Sequence, residues 1–233
     1  MTQLFATLFA PIAALAVLAA APAESEAQSG DGAQAAEQFV SQNAQAVIET
    51  LEAYRSGQRD LQAVKQDFRQ RIDELAAVDR VTNFVLGRYR RTADESELEE
   101  FREVFREYAI GVYESELSNY AGQSLEVTGS VERRPGDYVV RSKVTGANMR
   151  EPVEVAWRVR EMDGELKVLD AQVQGVWLAQ TQRDQITSII GDAGGDVRAA
   201  IDALRARMDG GEADEAQDAE SDGADEDETP SNP

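Results

Sequence analysis

The chain has 233 residues, 42% of them hydrophobic, and its 44 acidic side chains against 23 basic ones leave a net charge of −21. A surface that acidic repels phosphate, which argues against nucleic acid and against electrostatic docking on anionic lipid. With no Cys, no His and only three lysines (Lys65, Lys143, Lys167), the sequence has no disulfide, thiolate nucleophile, Ser-His-Asp triad or imidazole-ligated metal, and little room for Schiff-base chemistry.

Residues 4–21 form an uncharged Ala/Leu-rich run that ends in Ala21-Pro22-Ala23, a small-residue cleavage pattern. We read residues 1–23 as a secretory signal peptide, with export to follow, and 24–30 as a short polar linker. No cysteine follows the cleavage region, so a lipoprotein is excluded.

One domain is expected over residues 31–208. Phe39, Val40, Val47, Ile48, Leu51 and Tyr54 recur at helical spacing, and Ser56-Gly57 interrupts them. Leu61, Val64, Phe68, Ile72, Leu75 and Val78 predict a second amphipathic helix, followed by a short apolar piece over 81–86 that stops at Gly87. Thr92-Ala93-Asp94-Glu95 reads as a capping box ending on Glu95. Behind it a long helix carries Leu98, Phe101, Phe105, Tyr108, Val112 and Tyr113, and is expected to end before Gly122.

After Gly122 the period becomes two. Leu125, Val127, Gly129 and Val131 alternate in a first strand, and Pro135-Gly136 supplies a turn. Tyr138, Val140, Ser142 and Val144 mark the second strand, Val153, Val155, Trp157 and Val159 the third. Asp163-Gly164 closes a hairpin into Leu166, Val168 and Asp170. Helices over 178–190 and 197–208 flank a break at 191–195. The last segment, 209–233, holds eleven acidic residues without a Lys or Arg, which predicts a disordered tail; it contains no calcium-loop pattern. The fold class is therefore α+β: helices packed on one face of a four-stranded antiparallel sheet, enclosing an apolar pocket.

Few residues invite a chemical reading. Asp170, at a strand end, is either a general base or a cap for backbone donors in the turn that follows. Arg183 is either a phosphate ligand or half of an ion pair. The glycines at 191–195 suit a helix end and restart better than a phosphate cradle, because Asp192 and Asp196 flank them. Ser142 and Lys143 are strand neighbours and point to opposite faces, so they form no dyad.

Several stretches together carry a resemblance. Phe84-Val85-Leu86-Gly87-Arg88-Tyr89 precedes the Phe-rich helix, which runs to Tyr113 and on to Leu117 and Tyr120. Val155-Ala156-Trp157-Arg158-Val159, Leu166-Lys167-Val168-Leu169-Asp170 and Val173-Gln174-Gly175-Val176-Trp177-Leu178 then lead to Arg183 and Ile186. In this order and spacing, residues 35–208 resemble the MlaC family of toluene-tolerance proteins, periplasmic phospholipid carriers that maintain outer-membrane lipid asymmetry. Trp177 stands where that family usually has a small Ser, Arg90 where an aromatic is common, and Ile186 where Phe is frequent.

The resemblance implies a monomeric, non-enzymatic carrier in the periplasm, without cofactor, whose cargo is a glycerophospholipid. It also implies two partners: an inner-membrane ABC transporter with an MCE-domain subunit, and an outer-membrane lipoprotein–porin complex. About thirty acyl carbons at about 0.8 kcal/mol per buried CH₂ represent roughly 24 kcal/mol of transfer free energy. A dry pocket matches what the bilayer offers, so exchange is nearly neutral. Two tails call for a volume near the top of the usual range of about 300–1,000 Å³. The expected lipid-binding residues are Phe105, Tyr108, Val112, Ile186 and Ile190 on helices, Val127, Val140, Val155, Trp157, Val159 and Val168 on the sheet, and Trp177 at the sheet-to-helix junction. Two other classes are consistent with the same pattern: an enzyme using Asp170 as base, and a solid-cored adaptor without ligand.

Overall fold

A two-residue extended break, where the sequence reads one continuous helix, organises the first half of the domain. The computed structural model describes residues 30–115, 117–147 and 149–222, with side chains to residue 210; the predicted signal peptide, most of the linker and residues 223–233 of the tail lie outside them. Helix α1 (Asp31–Arg55) is followed by α2 (Leu61–Leu75), whose N-cap Asp60 accepts from the Ala63 amide at 2.8 Å. At Ala76 the backbone turns extended and pairs in parallel with Val168, and the Ala77 amide donates to the Val168 carbonyl at 2.9 Å. Val78, expected in the second helix, therefore opens a third, α3 (Val78–Leu86).

Gly87 ends α3 with φ 58° and ψ −125°, a conformation closed to side-chain-bearing residues, and a 3₁₀ turn (Gly87–Arg91) follows. Helix α4 (Glu95–Glu114) is closed by a capping box, but its partners are Asp94 and Glu97. The expected Glu95 sits in the first turn, too close to reach back to the N-cap amide. The helix ends at Glu114, before Gly122 as expected, and a 3₁₀ turn at Leu117–Asn119 follows.

The sheet is antiparallel, ordered β1 (Ser124–Arg134), β2 (Asp137–Thr145), β3 (Val153–Met162), β4 (Glu165–Val173), β5 (Val176–Trp177). It has five strands rather than the expected four, because the tight turn at Gln174-Gly175 folds Val176 and Trp177 back onto Val173 and Gln172. Helices α5 (Leu178–Asp192) and α6 (Arg198–Asp222) complete the order. The tail expected from Asp209 thus begins as helix, in a stretch with no proline or β-branched residue to stop it.

Two register shifts decide which side chains share a face. Between Val127 and Gly129 the pairing with β2 slips, which turns Ser130 toward α1 and leaves Val131 outward and 50% exposed. Between Arg158 and Val159 the pairing with β4 slips again, with Leu169 the extra residue. On one face, Tyr138, Val140 and Val159 meet Ala33, Ala36 and Val40 of α1, with Val127, Trp157 and Leu166 around them. Ser130 Oγ donates to Glu37 Oε1 at 2.6 Å across that contact. A separate core joins α3 to α6 through Val85, Leu86, Phe101, Phe105, Ile186, Ile190, Ile201 and Leu204. The helices are thus not confined to one sheet face: α1 takes the apolar side, and α3 and α5 approach β4 beside the charged one. The compact unit so formed is Ser29–Met208, and among the described residues no helix is long and apolar enough to cross a membrane.

Candidate ligand-binding site

The alternation of β3 that buries Trp157 and Val159 under α1 turns Arg158 and Arg160 to the opposite face. There Arg158 donates from Nε and Nη2 to the two carboxylate oxygens of Asp137, at 3.1 and 2.9 Å. Asp137 is 1% exposed, and Arg134 approaches it at 3.3 Å. The Arg158 guanidinium holds the Asp137 carboxyl below the usual carboxylate range, against the opposing pull of burial.

Over this face lies a cleft of about 610 Å³. α3 lends it Arg80, Val81, Asn83 and Phe84, the 3₁₀ turn Gly87 and Arg90, and α5 Ala179 and Arg183; the sheet supplies Arg158, Arg160, Leu169 and Asp170. The lining holds five guanidinium groups and one carboxylate, in a protein whose net charge is −21. Arg183 is seated by its surroundings: Nη1 donates to the Phe84 carbonyl at 3.2 Å and the guanidinium lies 4.7 Å from the Phe84 ring centroid. A Cβ at position 87 would come within 3.3 Å of Arg183 Nη2 and 3.2 Å of Thr187 Cγ2, so glycine there makes room as well as the turn. Among the described residues Arg80, Arg90, Arg160 and Arg183 have no carboxylate partner, which sets aside the ion-pair reading of Arg183.

Asp170 caps α5 from a distance. Its Oδ1 accepts from the amides of Ala171 at 2.8 Å and Ala179 at 2.9 Å, the latter in the first turn of the helix. Burial pushes its carboxyl up, while those two amides and Arg158 oppose the rise. Tyr113 of α4 senses this region too. Its side chain is 40% exposed, yet burial, with Asp170 and Tyr108 adding, pushes its phenol up to about 12. The other glycine break behaves as read: the Gly195 amide closes on the Ile190 carbonyl at 2.8 Å, a helix end rather than a cradle.

None of the twelve residues expected to bind lipid lines this cleft. Val127, Val140, Trp157 and Val159 pack with α1, while Val155 and Val168 share that face by register. Phe105, Ile186 and Ile190 are buried in the all-helix core with Tyr108 against it. Val112 is exposed on α4, and Trp177 sits on β5 opposite Gln172. Helix α1 covers the apolar sheet face, and the cleft over the opposite face is lined by five arginines beside Val81, Phe84 and Leu169. A second hollow, between α1 and α2 at Leu51, Val64 and Phe68, has about 10 Å³, room for about one water. The missed residues are Arg80, Phe84, Arg90, Arg158, Arg160 and Leu169. For Arg158 and Arg160 the signal was two arginines alternating with Trp157 and Val159 on one strand.

The charged face of the antiparallel sheet, two helices and the 3₁₀ turn thus bring five guanidinium groups together around one cleft. The chain belongs to the MlaC protein family, whose model matches residues 41–206. It is similar to a solved phospholipid-binding protein from Ralstonia solanacearum, determined in complex with a phospholipid. The two chains are 25% identical and superpose with a TM-score of 0.60 over 72% of this chain and 95% of the other. Comparison with curated proteins found no match.

Proposed function

We propose that this protein is a periplasmic phospholipid carrier, exported by cleavage after Ala23, that shuttles lipid between outer and inner membranes to maintain outer-membrane asymmetry. The observation that carries the reading is the cleft, with four arginines that have no carboxylate partner among the described residues, beside Val81, Phe84 and Leu169, in a chain of this family. A phosphodiester is an acceptor-only group that planar guanidinium donors match in pairs, and Arg183 and Arg160 are placed to offer them. The acyl chains run from the headgroup along Val81, Phe84 and Leu169 toward Tyr113. Of the residues read from the sequence, Phe105, Val140, Val159, Ile186 and Ile190 serve by filling the cores that hold the walls in place. Binding needs no cofactor, nucleophile or metal, because the ligand is cargo and leaves unchanged.

Because the bilayer and the carrier offer comparable burial, exchange is reversible and its direction is imposed from outside. The inner-membrane ABC transporter with its MCE-domain subunit and the outer-membrane lipoprotein–porin complex are the partners that impose it, and the carrier works as a monomer between them. The experiment is lipid capture. The mature chain is incubated with phospholipid vesicles, separated by flotation, and assayed for phosphorus. The reading expects about one phospholipid per chain, reduced by Arg183→Ala. A phosphorus-free protein refutes it.

A further inference from the structure

The charge of the cleft says more than that a phosphate fits. Of its five arginines, Arg158 is neutralised by Asp137, leaving Arg80, Arg90, Arg160 and Arg183 against the single carboxylate of Asp170. These four come from four separate elements, so no one helix end accounts for them. Asp170 is committed through Oδ1 to the Ala171 and Ala179 amides, and the neighbouring Asp184 accepts from Gln180 at 2.8 Å. A phosphate is therefore attracted, whereas a cationic group carried beside it meets guanidinium charge with one partly occupied carboxylate in reach.

We propose that the cleft selects phospholipids by headgroup charge, taking anionic headgroups in preference to zwitterionic ones. This rests on the carrier reading above. Two charges a few ångströms apart interact substantially even at high effective dielectric. An ammonium placed among uncompensated guanidinium groups therefore lowers relative binding about tenfold or more. Net charge hides this preference, since the sign of the whole surface is opposite to that of the site.

The test keeps membrane attraction out of the comparison by offering both lipids in one vesicle. Vesicles of equal phosphatidylglycerol and phosphatidylcholine with identical acyl chains are incubated with the mature chain, and captured lipid is identified by mass spectrometry. The expected result is about tenfold or greater enrichment of phosphatidylglycerol. In an Arg80→Gln, Arg90→Gln double variant the ratio falls toward one while phosphatidylcholine capture persists, and the corresponding Lys variant keeps the enrichment. Circular dichroism verifies that each variant is folded. Equal capture by the unmodified chain, or enrichment unchanged in the Gln variant, overturns the selectivity. A soluble source of the same chemistry is tested with glycerol 3-phosphate. If it displaces captured lipid at concentrations comparable to the lipid's, the site reads free phosphate and the proposal falls. If neither lipid is captured, the carrier reading fails with it, a result distinct from equal capture.

Discussion

Replacing Arg158 by Leu removes one half of a pair whose other half is almost inaccessible to water. Asp137 is 1% exposed and loses two hydrogen bonds, at 3.1 and 2.9 Å, keeping only Arg134, itself largely exposed, at 3.3 Å. Breaking a buried pair by deleting one partner costs about 3–5 kcal/mol, and the surviving Arg134 contact places this case near 3. For a domain of this size each kcal/mol moves Tm by about 2–4 °C, so the expected fall at pH 7 is about 6–12 °C. The pH dependence identifies the cause. Arg158 holds the folded pKa of Asp137 below its unfolded value. The stability from this pair is therefore complete above the unfolded value, about 3.9, and is lost as pH falls through the lower folded one. Thermal melts followed by circular dichroism should show the gap between native and variant widest near neutrality and narrowing below about pH 4. A gap that is the same at both ends of that range, or a fall under 2 °C, would refute the buried-pair reasoning.

Gly87→Ala forces a side chain into φ 58°, ψ −125° and against Arg183 and Thr187. It should cost about 2 kcal/mol in urea unfolding and weaken lipid capture by displacing the guanidinium. Asp170→Ala orphans two amides at the start of α5 and should cost about 1–3 kcal/mol, whereas Asp170→Asn keeps an acceptor and costs less. Since burial raises the folded pKa of Asp170, stability from this group is complete below the unfolded value, about 3.9, and declines as pH rises through the folded one, so melts should shift in favour of the Asn variant as pH rises above about 4. Trp157→Phe removes the indole donor to Ser142 Oγ, 3.0 Å away, on the α1 side of the sheet. It should lower stability by about 1 kcal/mol and leave phosphorus capture unchanged; a loss of capture with full stability would return the site to the face expected from the sequence.

Much of the fold was legible because its periods are clean. The odd positions of β3 are apolar without exception from Val153 to Val159, and the Asp163-Gly164 hairpin follows from two residues with positive φ. What could not be read was which side of that strand faces a hollow. Alternation groups Val155, Trp157 and Val159 together and Arg158 with Arg160, but it does not say which group α1 will cover. Assigning the apolar face to an apolar ligand was chemically reasonable, yet an apolar face is also what a helix covers most readily. The slips at Gly129 and Leu169 were equally hidden, because a bulge is one extra residue whose location depends on the partner strand. Asp170 was found as a carboxylate close before the Gly175 turn, although it lies within β4, and Arg183 as a cation in the first turns of α5. Arg80 and Arg90 were not, since a surface arginine gains meaning only when Arg160 and Arg183, distant in the sequence, arrive beside it.

The central claim is that this chain holds phospholipid in the arginine-lined cleft. Native mass spectrometry of the mature protein, purified without detergent and then incubated with phospholipid vesicles, addresses it directly. The account predicts a mass increased by one phospholipid, lost in Arg160→Gln, Arg183→Ala while circular dichroism remains native and retained in Trp157→Phe. A protein that keeps its ligand-free mass, or whose bound lipid is indifferent to the arginines, would contradict it.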